Sequence, residues 1–183
     1  MNTSQTNPAE TLNSNQFALL IIDVQQGLFR KSTPIYKAEE LLHNIITLAD
    51  RAHHAGVPVF YVQHSDQKAL VKGSQDWQLH SELHPSVADK SIHKSHGNAF
   101  EDTILSQELS SRNIDSLVVT GLVTHGCVRA TCIGAKNLGY RVILVKDGHS
   151  SYSKQAAQLI EEWNEKLSNE NVELRLAAEI GFD

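Results

Sequence analysis

Four short apolar runs without polar alternation, separated by stretches of helical periodicity, leave this chain few ways to fold. They are FALLIIDV (17–24), VPVFYVQ (57–63), SLVVTG (116–121) and RVILVKD (141–147). A strand with one wet face alternates polar and apolar residues. Unbroken runs rich in Val, Ile and Leu suit strands covered on both faces. Two weaker runs, SIHK (91–94) and VELRLAA (172–178), bring the set to six.

Helical patterns lie between them. In 36–56, Leu41, Leu42, Ile45, Leu48, Ala49 and Ala52 share one face, and Gly56 is placed to end the helix. In 126–139, Val128, Cys132 and Ala135 share a face before Gly139. In 153–169, Ala156, Leu159, Ile160, Trp163 and Leu167 repeat the pattern. Strands alternating with helices predict an α/β chain, a doubly wound Rossmann-like parallel sheet with helices on both faces. The length suits a single domain over 17–183, with 1–16 as a flexible polar tail that lacks the basic start and apolar centre of a secretory signal.

Charge narrows the partners. Sixteen basic and 21 acidic residues, spread without blocks, offer no stripe for nucleic acid, and no apolar stretch reaches bilayer length. Two cysteines, five residues apart, form neither a disulfide framework nor a C-x-x-C pair. A cytoplasmic protein acting on a small molecule is the expectation. The aperiodic stretch 64–90 is too long for an idle loop and is a candidate binding segment.

Doubly wound sheets bind ligands beyond the carboxyl ends of their strands. Asp23, His64, Lys94, the stretch 121–127 and residues 147–149 occupy those positions. Cys127 follows the fourth strand and opens the next helical pattern. A thiol there can be a small buried hydrophobe, a metal ligand or a nucleophile. A nucleophile needs a base, a nearby cation and preferably a helix start. Asp23 and Lys94 supply the first two if the fold converges them, and GLVTHGC offers successive N–H groups for an oxyanion.

At these residues the sequence resembles the isochorismatase-like cysteine hydrolases. ALLIIDVQQGLF is similar to the family's first strand, ending in a catalytic Asp, here Asp23. HKSHGNAFEDT resembles its lysine segment, here Lys94 with Ala99 and Phe100. VVTGLVTHGCVRATCIGAKNLGYRVILVKD resembles the signature around its nucleophile, here Cys127, with Thr124, Thr131 and Ala135. The resemblance implies a six-stranded sheet of order 3-2-1-4-5-6 and an Asp23–Lys94–Cys127 triad. It implies a cis peptide at Leu122–Val123, with the N–H groups of Val123 and Cys127 as the oxyanion hole. It also implies a homo-oligomer, a dimer or larger.

The expected activity is cleavage of a C–N bond in a small amide, carbamoyl or ureido compound through a thioester, without a cofactor. The alternatives are hydrolysis of a vinyl ether, in a branch that does not need the thiol, and an inactive binding protein of the same fold. An activated Cys127 is expected to label rapidly with iodoacetamide near neutral pH. Gln25, Phe29, His64, Trp77, Phe100 and His125 are candidate pocket residues. No metal is expected: QHSDQKAL places His64 before Asp66 and lacks the D-x-H of the nicotinamidase branch, while His80 and His84 fall in a loop pattern beside Pro85.

Overall fold

A computed structural model describes residues 16–182. The tail reading for 1–16 falls, Gln16 apart, outside the described residues. Six strands form one parallel sheet in the order β3-β2-β1-β4-β5-β6. They are β1 (Phe17–Ile22), β2 (Val59–His64), β3 (Lys90–Lys94), β4 (Ser116–Leu122), β5 (Arg141–Ser150) and β6 (Glu173–Arg175). Every residue of β1 and β4 is buried, as their unbroken apolar runs require.

Alternation along β1 divides the core in two. Phe17, Leu19 and Ile21 face α2 (Ala38–His54), packing with Leu41, Ile45 and Leu48. Ala18, Leu20 and Ile22 face the other side, with Leu105 and Leu109 of α3 (Leu105–Ser110). Cys132 of α4 (Arg129–Asn137) and Leu167 of α5 (Ala156–Asn169) complete that side. A four-residue helix, α1 (Gln26–Phe29), follows β1. No described helix is long and apolar enough to cross a membrane.

Two strand expectations shift. The run 172–178 is a strand only over Glu173–Arg175, because the chain then tightens into a 3₁₀ turn at Ala177–Glu179. β5 extends to Ser150 across an irregularity: Val119 pairs with Leu144, but Gly121 pairs with His149. Three extra residues on β5 are accommodated there. Gly148 permits the tight packing, since a Cβ on it would lie 2.7 Å from Val145 Cβ.

The segment 65–89 folds back over the residues that follow β1. Gln26 N–H donates to Gln78 O at 2.9 Å, Gly27 N–H to Asp76 O at 2.9 Å, and His80 N–H to Val24 O at 2.8 Å. Trp77 anchors it in the core, its indole N–H donating to Ser65 Oγ at 2.9 Å.

Candidate active site

The winding reverses between β1 and β4, so a crevice is expected at their carboxyl ends. The two strands approach closely there. Gly121 has φ +116, and a Cβ on it would lie 2.1 Å from Ile22 O, so only glycine lets β4 pass β1. Asp23 follows immediately, in the left-handed region at φ 51, which L-residues occupy rarely and mostly where surrounding structure holds them. Its N–H donates to Val62 O and its carbonyl accepts from Gln25 N–H.

Lys94 ends β3 and is buried. Its Nζ donates to Asp23 Oδ2 at 2.8 Å, His96 O at 3.1 Å and Cys127 Sγ at 3.2 Å, and lies 3.3 Å from His64 Nδ1. An ammonium has three protons for these four acceptors. Three residues from three strand ends therefore meet around one cation. The loop after β3 is tied to α4 by Ala99 N–H donating to Thr131 Oγ1 at 3.1 Å, which joins two of the sequence motifs.

Cys127 does not open α4. It lies in a π-helical turn, Thr124–Val128, where Val128 N–H reaches back to Val123 O and Gly126 leaves helical geometry. The Leu122–Val123 peptide preceding the turn is cis. Burial, then the charge of Asp23, pushes the Cys127 thiol up to about 12, against the opposing pull of Lys94. Burial and the Asp23 charge thus favour the protonated thiol, and the Lys94 ammonium opposes them. The helix start that would favour a thiolate begins two residues later, at Arg129, and not at Cys127. Asp23 Oδ1 is buried without a fully formed hydrogen bond among the described residues, leaving an acceptor at the centre.

Asp23, His64 and Cys127 offer ligand atoms all within 4.8 Å of one another, a grouping that could hold a metal. The Lys94 ammonium lies among those atoms. Burial, then the Lys94 charge, lowers His64 below the ordinary imidazole range.

Of the remaining pocket candidates, Gln25 and Trp77 are joined to His64 by hydrogen bonds through the Gln25 amide. Gln25 is wholly buried and spends its amide on the scaffold, donating to His64 O and Trp77 O and accepting from His64 N–H. Phe29 packs its ring 4.4 Å from that of His80. Phe100 stacks on Tyr140. His125 is half-buried in the Thr124–Val128 turn, with Nδ1 buried and unpartnered among the described residues. A cavity of about 300 Å³ lies beside the carboxyl-terminal half of β5, lined by Tyr36, Lys37, Lys146 and His149 among others, and includes no residue of the Asp23–Lys94–Cys127 group. Sequence reasoning placed His149 among the strand-end positions without giving it a role, and passed over Asn164. His149 occupied a strand-end position, but nothing in the sequence revealed the irregularity that turns it inward.

A six-stranded parallel sheet in this order, with these residues gathered at its switch point, places the chain among the doubly wound Rossmann-like proteins. More particularly, it belongs to the Isochorismatase domain family, whose family model matches residues 17–162. It is 31% identical over 142 residues to a streptothricin hydrolase of Streptomyces noursei, covering 76% of this chain and 51% of that protein. A second streptothricin hydrolase from that organism matches at 29%, with 56% of its length covered, so the chain spans about half the length of these curated relatives. It is 26% identical over 159 residues to Nicotinamidase 3 of Arabidopsis thaliana, covering 78% of this chain and 77% of that one. An isochorismatase structure from Pseudomonas putida KT2440 superposes with a TM-score of 0.85 at 24% identity over 93% of each chain, a likeness of fold.

Proposed function

We propose that the chain is a cysteine hydrolase that cleaves the C–N bond of a small amide, carbamoyl or ureido compound. The observation that carries this is the buried Lys94 ammonium, bonded at once to Asp23 at 2.8 Å and to the Cys127 sulfur at 3.2 Å. Asp23 takes the thiol proton as the sulfur attacks the carbonyl carbon. The N–H groups of Val123 and Cys127 hold the oxyanion, and Lys94 offsets the negative charge. Collapse expels the amine, which leaves with the proton held by Asp23. Water then attacks the thioester, Asp23 accepts its proton and returns it to the departing sulfur, and the acid is released.

The likeness to streptothricin hydrolases and a nicotinamidase supports a hydrolytic reaction on a small molecule. The test is an ammonia-release screen over small amides, nicotinamide and ureido acids. Cys127→Ala is expected to abolish turnover, while Cys132→Ala, a change in the packed face of α4, retains most of it. EDTA leaves turnover unchanged in this reading, where the positive charge is the ammonium of Lys94. Comparable losses in the two cysteine variants, or a loss with EDTA restored by zinc, would overturn it.

A further inference from the structure

Behind the nucleophile turn runs a second set of buried polar side chains. Thr124 begins the turn and is 1% exposed; His149 and Asn164 are each 3% exposed. Thr124 Oγ1 lies 2.9 Å from His149 Nδ1, and His149 Nε2 lies 3.0 Å from Asn164 Oδ1. A neutral imidazole carries one proton. The amide oxygen only accepts, so that proton sits on Nε2, and Nδ1 accepts from the Thr124 hydroxyl. Donation thus runs in one direction, from the turn through the imidazole to α5.

The irregularity in β5 creates this contact. By bringing His149 opposite Gly121, it sets the imidazole beside the end of β4, where the turn begins. Bulges often re-aim a side chain next to a site in this way. The turn needs such a tie. Gly126 N–H and Val128 N–H both converge on the single carbonyl of Val123, and Gly126 is not helical. Asn164 Nδ2, meanwhile, is buried without a partner among the described residues. An unsatisfied buried donor opposes folding, so apolar side chains would serve stability better at these positions.

We infer that His149 is a positioning residue: braced on Asn164 and accepting the Thr124 hydroxyl, it sets where the Cys127 sulfur lies relative to the Asp23–Lys94 pair. This rests on Cys127 being the nucleophile. Losing the tie lets the sulfur move out of its buried place beside Asp23. The sulfur then becomes easier to reach for a small alkylating agent and less productive toward substrate.

Asn and Gln at position 149 separate the two bonds. Asn places its amide oxygen near the position of Nδ1 and can still accept from Thr124. Gln reaches toward Asn164 instead. Iodoacetamide labelling of Cys127 at pH 7.5, followed by peptide mass spectrometry, reads the position of the sulfur without a substrate. Wholly buried Cys132, on the helix that follows, gauges unfolding. In Thr124→Val and His149→Gln, labelling of Cys127 is expected to rise about 10-fold with Cys132 unlabelled. In the same variants kcat falls about 10- to 100-fold, the scale of a misplacement near 1 Å, while KM stays within about 3-fold. Thr124→Ser and His149→Asn recover most of both. Wild-type labelling and kcat in Thr124→Val and His149→Gln would overturn the inference, as would Cys132 labelling in step with Cys127. If Cys127→Ala retains turnover, the proposed function fails; the labelling comparison still reports whether His149 holds the turn.

Discussion

Titrating stability against pH in the wild type and in His149→Asn tests how deeply the imidazole is built into the fold. Burial is the main cause that lowers His149 from 6.5 to about 4; its bond to Asn164 and the charge of Asp147 pull the other way but do not prevail. Below pH 6.5 the unfolded chain binds a proton that the folded chain refuses until about pH 4. Stability therefore falls as pH drops through this window and is flat above it. At about 1.4 kcal/mol per pH unit, the full window is worth about 3 kcal/mol, and about 2 kcal/mol is already lost by pH 5. His149→Asn cannot titrate, whereas His64, His80 and His93, which are also pushed down by burial, titrate in both proteins and cancel. Urea unfolding is the assay. With a slope of about 2 kcal/mol per molar, the wild-type midpoint should lose about 1 M more than the variant's between pH 7.5 and pH 5. A difference between the two curves that stays constant across this range would refute a buried, neutral His149.

Asp23→Asn is expected to remain folded but to lose about 10²- to 10⁴-fold in turnover with little change in KM, because the proton relay acts in the transition state. Its thermal midpoint should fall as well, since Lys94 would stay buried without its counter-charge, and an unchanged midpoint would contradict the buried pair. Gly121→Ala is expected to yield no native protein, because the added methyl would meet Ile22 O at 2.1 Å in a backbone conformation that alanine resists. A soluble variant with a wild-type circular dichroism spectrum would show that β1 and β4 can separate there.

The architecture was legible because burial on both faces writes itself into composition. The runs that form β1, β2, β4 and β5 read as strands covered on both faces, their order came from the family resemblance, and α2 declared its buried stripe from Leu41 to Ala52. Asp23, Lys94 and Cys127 were legible too, since each stands at a strand end and each lies in a motif. Other features were not. Trp77 sits in an aperiodic segment, and its place in the core depends on the folding of 65–89 over the residues after β1. The amide of Gln25 bonds the backbone of His64 and Trp77, contacts that no local pattern announces.

By itself, then, the sequence determined the layers, the two-sided core and the strand ends where chemistry could gather. Apolar periodicity is a local property, and burying it permits few arrangements. The tertiary structure alone decided the surroundings of the thiol, that is, how far the fold removes Cys127 from water and how near it brings Asp23 and Lys94. It alone decided the tie from Thr124 through His149 to Asn164, because three extra residues in β5 change which side chain faces the turn without changing any local pattern. Electrostatics and register depend on distances between segments far apart in the chain, and those distances exist only once the sheet has closed.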